Sequence, residues 1–231
     1  MLSQQNILII SAHPDDEVLG CGGSMAKWSK DGYQVHVLIM AEGATSRDKS
    51  RDRNSRKQEL SILAESANQA ADILGVDSVE LLKFPDNRMD SVDLLDVIKV
   101  IEDYVKKLQP KIVVTHHEGD LNIDHQIIHK AVITACRPQP DNSIKRILSY
   151  EVPSATEWNS PTAYIPFVPN WFEDISDTLE MKIKALKAYH SEMRKWPHAR
   201  SFKAIEHLAR WRGASVGFEA AEAFMLVREL K

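Results

Sequence analysis

Five consecutive residues near the start of the chain, His13-Pro14-Asp15-Asp16-Glu17, place an imidazole and three carboxylates directly after a short apolar run, Ile7 to Ser11. These side chains bind metals and move protons. In a turn, positions i and i+3 converge on one point, so His13 and Asp16 can offer an imidazole nitrogen and a carboxylate oxygen to a zinc ion at about 2.0–2.2 Å. Asp15 then points elsewhere. Zinc lowers the pKa of a bound water from about 15.7 to about 7, and a carboxylate beside it can act as general base. The plainer alternative is that the three acids cap the following helix and complement the positive end of its dipole. Three carboxylates plus a histidine exceed what capping needs.

A second polar cluster, His116 to His125, contains His116, His117, Asp120, Asn122, Asp124 and His125. A catalytic zinc commonly has three protein ligands and one open position, which His13, Asp16 and a histidine from this cluster would supply. Asp124 or Asp120 could orient that histidine from behind. Spacing alone does not choose the third ligand, because His125 and His129 also form an i, i+4 pair on one helical face. That pair lacks the adjacent glutamate of the zincin type, which favours a packing role for His129.

Both clusters follow segments that read as strands. Ile7 to Ser11 and Val35 to Met40 are short apolar runs of the kind buried on both faces of a parallel sheet, and Val79 to Leu82, Lys111 to Thr115 and Ile144 to Tyr150 read as further short strands. Between them lie predicted helices at Glu17 to Lys30, a long one ending at Leu74-Gly75, Val92 to Leu108 with Leu94, Leu95, Ile98, Ile101 and Val105 inward, and 125–136. The charged stretch Ser46 to Lys57 reads as a solvated loop, and the prolines of 151–170 exclude regular elements there. Helices near 176–191 and 201–212 precede a late strand, Ala223 to Val227. This alternation predicts a Rossmann-like, three-layer α/β fold with a mostly parallel sheet. Its ligands belong at the carboxyl ends of the strands, where both clusters sit.

The 231 residues suit one domain with a substantial core, over residues 1–231. With 43% apolar and 27% charged residues the chain falls in the ordinary globular range. A net charge of −4 provides no basic field for phosphate backbones, so no nucleic acid is expected. Two cysteines, Cys21 and Cys136, cannot build a disulfide framework, and both should be packed and reduced. No run is long enough for a membrane span or a signal segment, which points to the cytoplasm.

The run Ala12-His13-Pro14-Asp15-Asp16-Glu17, reinforced by Asn122-Ile123-Asp124-His125, resembles the LmbE-like, or PIG-L-type, N-acetylglucosaminyl deacetylases. The likeness extends through Gly20-Cys21-Gly22-Gly23 and, near the end, Gly213 and Ala223-Phe224. By this resemblance His13, Asp16 and His125 bind Zn2+, Asp15 is the general base, and the substrate is a small N-acetylated sugar. Many relatives carry a histidine that helps stabilise the oxyanion where this chain has Asn122. An amide can donate a hydrogen bond but carries no positive charge. The oxyanion donor therefore stands among Asn122, His116, His117 and the metal. An Arg and Glu of the second helix contact sugar in relatives, and Arg56 and Glu59 look like that element, although a solvated helix surface explains them equally.

Trp158, with Glu151 and Glu157, could line a sugar site in the long loop or simply buttress it. His190 or Arg194 could reach the substrate, though a plain interhelical connection explains that segment more simply. The expected partner is a small-molecule sugar or sugar conjugate, with a homo-oligomer open. Rival readings are the same zinc site acting on another amide, such as a thiol-sugar conjugate or antibiotic precursor, and a sugar- or nucleotide-binding module without chemistry. Against the last, the first turn lacks GxGxxG, and carboxylates stand where a pyrophosphate would approach.

Overall fold

Alternate residues of the first strand bury themselves on opposite faces, and this arrangement fixes the layers. The computed structural model describes residues 5–140, 142–160, 162 and 165–231. In chain order the elements are β1 (Asn6–Ser11), α1 (Asp16–Lys30), β2 (Gln34–Ala41), α2 (Lys57–Leu74), β3 (Ser78–Phe84), α3 (Leu94–Leu108), β4 (Ile112–His116), α4 (Ile123–Ala135), β5 (Arg146–Tyr150), β6 (Trp171–Asp174), α5 (Leu179–Ala188), α6 (Phe202–Ala214) and β7 (Ala221–Glu229). Ile7 and Ile9 of β1 pack with Val18 and Met25 of α1, Leu74 of α2 and Leu186 of α5. Leu8 and Ile10 face the other way, onto Ile101 of α3 and Ile128 and Val132 of α4. Each such burial is worth about 1.5–3 kcal/mol, so both faces of β1 are held rigidly under the residues that follow it.

The strands form one seven-stranded sheet in the order β3-β2-β1-β4-β5-β7-β6. The first five are parallel, while β7 runs antiparallel to β5 and β6. From β1 the chain builds outward through β2 to β3, then returns to add β4 and β5 on the other side. The order thus reverses between β1 and β4, the switch point at which such sheets leave a crevice above the strand ends. Both polar clusters open from that crevice. Among the described residues no helix is long and apolar enough to cross a membrane, and Cys21 and Cys136 are buried and unpaired.

Several expectations need correction. β6 had no signal of its own, being four half-buried residues whose partner β7 lies far along the chain. In α3 the buried stripe is Val97, Ile98, Ile101 and Val105, while Leu94 and Leu95 are exposed, because the helix packs inward only beyond its first turn. The stretch from Ser46 to Lys57 is not freely solvated. Arg51 and Arg53 each place Nε 2.7 Å from a carboxylate oxygen of Glu42, a side chain only 2% exposed at the end of β2. A carboxylate buried there requires such partners, and the arginines fold the loop over it. The long helix does end as predicted, with Gly75 in the left-handed region at φ +74°. Of the proline-rich loop, residues 161, 163 and 164 lie outside the described residues.

The glycines after the first motif serve packing. A Cβ on Gly20 would sit 2.2 Å from Cδ2 of the buried Tyr150 ring, and one on Gly23 would sit 2.8 Å from Cδ1 of Ile175. They let α1 lie against β5 and the segment before α5, rather than opening the site to a ligand.

Candidate metal centre

β1 delivers His13 two residues beyond its end at Ser11, and β4 leads to His125 in the first turn of α4. Between them, Oδ2 of Asp16 lies 3.2 Å from His13 Nδ1 and 3.1 Å from His125 Nε2. In a tetrahedral zinc site with bonds near 2.0–2.1 Å, ligand atoms stand about 3.3 Å apart, so these separations match one edge after another of such a tetrahedron. Both ring nitrogens of His125 are buried without a properly directed hydrogen bond, although Nδ1 lies 3.2 Å from Asp120 Oδ1. A buried polar atom without a partner is costly, and a cation shared by these three residues would remove the cost. The donor set, two imidazoles and one carboxylate, suits zinc.

The outer nitrogens reinforce the reading. His13 Nε2 is 3.0 Å from Asp124 Oδ2, and His125 Nδ1 faces Asp120, so each imidazole has a carboxylate behind it to fix its tautomer. His13, Asp86 and Asp124 make a second possible donor group. Its carboxylates are already engaged: Asp124 accepts the backbone N–H groups of Asn87 (2.6 Å) and Met89 (3.0 Å), and Asp86 accepts that of Ser46 (2.9 Å). The first group therefore fits a metal better.

The electrostatics point the same way. Burial alone would lower the pKa of His125, but Asp16 and Asp120 raise it to about 9. His13 is likewise raised against its burial by Asp124 and Asp16. Burial would raise Asp16, yet the adjoining histidines hold it well below the ordinary carboxylate range. This pocket of negative potential attracts a cation, whether a proton or a metal.

Asp15 stands beside this group in a strained conformation, with φ at +118°, a region costly to a residue with a Cβ and often retained at functional sites. Glu17 holds it there by accepting the Asp15 N–H through Oε2 at 3.1 Å, while its Oε1 accepts the Tyr189 hydroxyl at 2.7 Å. Burial, and then the Asp16 charge, push the Asp15 carboxyl well above its usual pKa, partly opposed by the Arg200 guanidinium, 3.2 Å away at Oδ2.

The other expected residues divide. Asn122 lines the cavity, but its Oδ1 caps α4 by accepting the Asp124 N–H at 2.9 Å and its Nδ2 donates to Asn87 at 2.7 Å. His116 lies beneath the centre, its ring stacked on His125 at 3.8 Å, with Nε2 accepting the Ala12 N–H at 2.8 Å. Burial and the neighbouring His125 depress its pKa, keeping it neutral. His117 turns away to the Ile165 carbonyl, and His129 Nδ1 bonds the His116 carbonyl. Arg56 is tied to Asp48 and Glu59, and neither Arg56 nor Glu59 lines the cavity. Trp158 is exposed, edge-on to His198, and His190 is exposed on the surface. Glu151 pairs with Arg212, and Glu157 accepts the Ser154 N–H, as loop supports do.

A cavity of about 240 Å³ opens over His13, Asp15, Asp16 and His125. Its walls include Arg47, Asp86, Asn87, Glu192 and Arg200, which the sequence reading did not single out. Asp86 and Asn87 follow β3 and carried the same strand-end signal as the two motifs. Glu192 and Arg200 had no local signal at all.

The model of the family described as PIG-L, GlcNAc-PI de-N-acetylase, matches residues 8–136, the span that carries both polar clusters. The chain belongs to this family. It is 32% identical over 194 residues to the uncharacterized deacetylase YaiS of Escherichia coli (strain K12), covering 81% of this chain and 92% of that one. It is 26% identical to the diacetylchitobiose deacetylase of Thermococcus kodakarensis, covering 81% and 70% respectively. Among solved structures, the 4-carboxy-2-hydroxymuconate hydratase of Pseudomonas putida KT2440 superposes with a TM-score of 0.75 at 24% identity, covering 99% and 98%. The family relationship supports an N-deacetylase, while the last likeness shows the shared α/β fold alone.

Proposed function

We propose that this PIG-L family member is a zinc-dependent N-deacetylase acting on an N-acetylglucosamine-type sugar or sugar conjugate, with His13, Asp16 and His125 holding the metal. The observation that carries this reading is the trio of ligand atoms around Asp16 Oδ2, with the Asp15 carboxylate beside them, bonded through Oδ2 to Arg200. A bound zinc would supply Lewis acidity toward the acetyl carbonyl and the attacking water. Asp15 takes a proton from that water and returns it to the leaving nitrogen as the C–N bond breaks, giving acetate and a free amine. Asp120 and Asp124 hold the two imidazoles in register. The polar cavity above, with Arg47, Glu192 and Asn87 on its walls, is suited to the hydroxyls of one pyranose. The whole chain acts as one domain in this reading.

Metal analysis of protein purified without added metal, combined with an acetate-release screen over N-acetylglucosamine, N,N′-diacetylchitobiose, nucleotide sugars and glycoconjugates, tests the proposal. Stoichiometric zinc with equimolar acetate and amine is the expected result. Zinc with no acetate from any N-acetylated compound would remove the deacetylase reading, leaving hydration of an unsaturated acid as the reaction to examine. Protein without zinc would remove the metal site itself.

A further inference from the structure

Every backbone hydrogen-bonding group of Asp15 is occupied. Its N–H goes to Glu17 Oε2, and its carbonyl accepts the N–H groups of Val18 (3.1 Å) and Leu19 (2.9 Å). What remains free is rotation of the side chain, and among the described residues one group alone hydrogen-bonds the carboxylate, Nη1 of Arg200 at Oδ2. The other cations on the cavity wall are engaged elsewhere. Arg47 is spread across Glu192 and Glu59, and Arg194 donates to the Ser191 and Met193 carbonyls.

Arg200 is itself held from both sides. Its N–H donates to His198 Nδ1 at 3.0 Å, and its carbonyl accepts the Arg194 N–H at 3.1 Å. The next residue, Ser201, caps α6 by accepting the Ala204 N–H at 3.1 Å. The arm is therefore rooted in the turn that starts a helix, and the side chain is only 26% exposed. A guanidinium has five N–H donors, of which the Asp15 contact uses one, and Nε is buried without a partner. So polar an arrangement, built across a separation of 185 residues, is more than a surface ion pair needs.

We infer that Arg200 is a positioning residue for the deacetylation, holding one oxygen of Asp15 so that the other faces the reacting water. This rests on the deacetylase reading above. The two oxygens of Asp15 then have separate tasks: Oδ2 is anchored and Oδ1 exchanges the proton. Without the anchor the carboxylate rotates among staggered positions, and a displacement of about 1 Å at a reacting group can cost about 10²-fold in rate. Lysine keeps the charge but not the planar fork, so it replaces arginine only in part.

The experiment compares Arg200→Ala, Arg200→Lys and wild type on the substrate found by the acetate screen, alongside zinc content and crystal structures of the zinc-loaded proteins. Expected are a kcat about 10²-fold lower in Arg200→Ala with KM within a few-fold, a smaller loss in Arg200→Lys, unchanged zinc and partial rescue of the alanine variant by millimolar guanidinium. Guanidinium should not rescue Asp15→Asn. In the crystals Asp15 should adopt one rotamer in wild type and turn away in Arg200→Ala. An unchanged Asp15 rotamer, or a kcat within threefold of wild type (about 0.7 kcal/mol), overturns the inference, as does a loss confined to KM, which would make Arg200 a substrate contact. If wild type itself releases no acetate, the deacetylase reading fails, and the Asp15 rotamer still decides the positioning role.

Discussion

Helix α1 carries two buried charge clusters, and they differ in how completely their polar atoms are satisfied. Near its middle, Cys21 departs from helical geometry (φ −145°, ψ 26°), which frees backbone groups on either side. Glu222 of β7 and Lys182 of α5 fill the gap. Glu222 accepts the N–H groups of Gly23 (2.9 Å) and Ser24 (2.7 Å) and pairs with Lys182 at 2.6 Å, while Lys182 also donates to the Leu19 carbonyl at 2.8 Å. At its N-terminus, by contrast, Asp15 sits in a strained backbone conformation with one carboxylate contact, and His125 keeps two buried nitrogens without directed hydrogen bonds. Both clusters are almost wholly buried. Where the charged groups and freed backbone groups find one another the cluster closes a kink in the helix, and where they do not, atoms stay open for the metal binding and proton exchange proposed above.

The strongest way to break this comparison is Asp15→Asn, which keeps size but removes the basic oxygen. Zinc content should stay while kcat falls by about 10²–10⁴-fold. Zinc lost in parallel with activity would make Asp15 a ligand, and near-normal turnover would place the base elsewhere.

Next comes the centre itself. His125→Ala should strip most of the zinc and His129→Ala should leave it, because His129 is occupied with the His116 carbonyl. Asp120→Asn should weaken zinc by about 10–100-fold, the usual cost of losing a carboxylate behind a ligating histidine. Calorimetric zinc titration checks all three, and tight binding in His125→Ala would point to the Asp86–Asp124 group.

The closed cluster should respond in stability instead. Lys182→Met leaves Glu222 buried and unpaired, and urea unfolding should show a loss of about 3–5 kcal/mol, with zinc bound per folded molecule unchanged. A loss under about 1 kcal/mol would mean the pair contributes no more than a surface pair does.

A pH series on metal-free protein sharpens the contrast further. The pKa of His125 is raised from the ordinary value to about 9, so its contribution to stability is complete below about pH 6.5 and is lost as pH rises through about 9. Tm of the metal-free protein should therefore fall across that window, and bound zinc should abolish the fall by displacing the proton. A flat profile without metal would remove the histidine–carboxylate coupling from the account.

The smallest effect is expected at Asn122. As the N-cap of α4 it should cost about 0.5–2 kcal/mol when replaced by alanine. If kcat also falls by about 10²–10³-fold at constant KM, Asn122 donates to the oxyanion as well; an unchanged kcat confines it to the cap.

The alternation of apolar runs with helical periodicity determined the layered α/β fold and the strands β1 to β5, because a strand buried on both faces and a helix buried on one leave different local periods. Two polar clusters at strand ends likewise announced a site, since strand ends at a switch point are where side chains escape the core. Local signal stopped there. The Asn122 cap is a local contact with Asp124, but the neutral stack of His116 beneath His125 and the arginine clamp on Glu42 depend on which side chains meet in the folded chain, and no residue type encodes that alone. Trp171 to Asp174 form a strand because β7 arrives beside them, although their own pattern is too short to specify one. Arg200 reaches Asp15 because α6 begins where it does against α5 and β7, a placement fixed by packing over the whole chain. Sequence alone could name the residues able to do chemistry, but only the closed tertiary structure decided which of them meet at one point and which are tied up elsewhere.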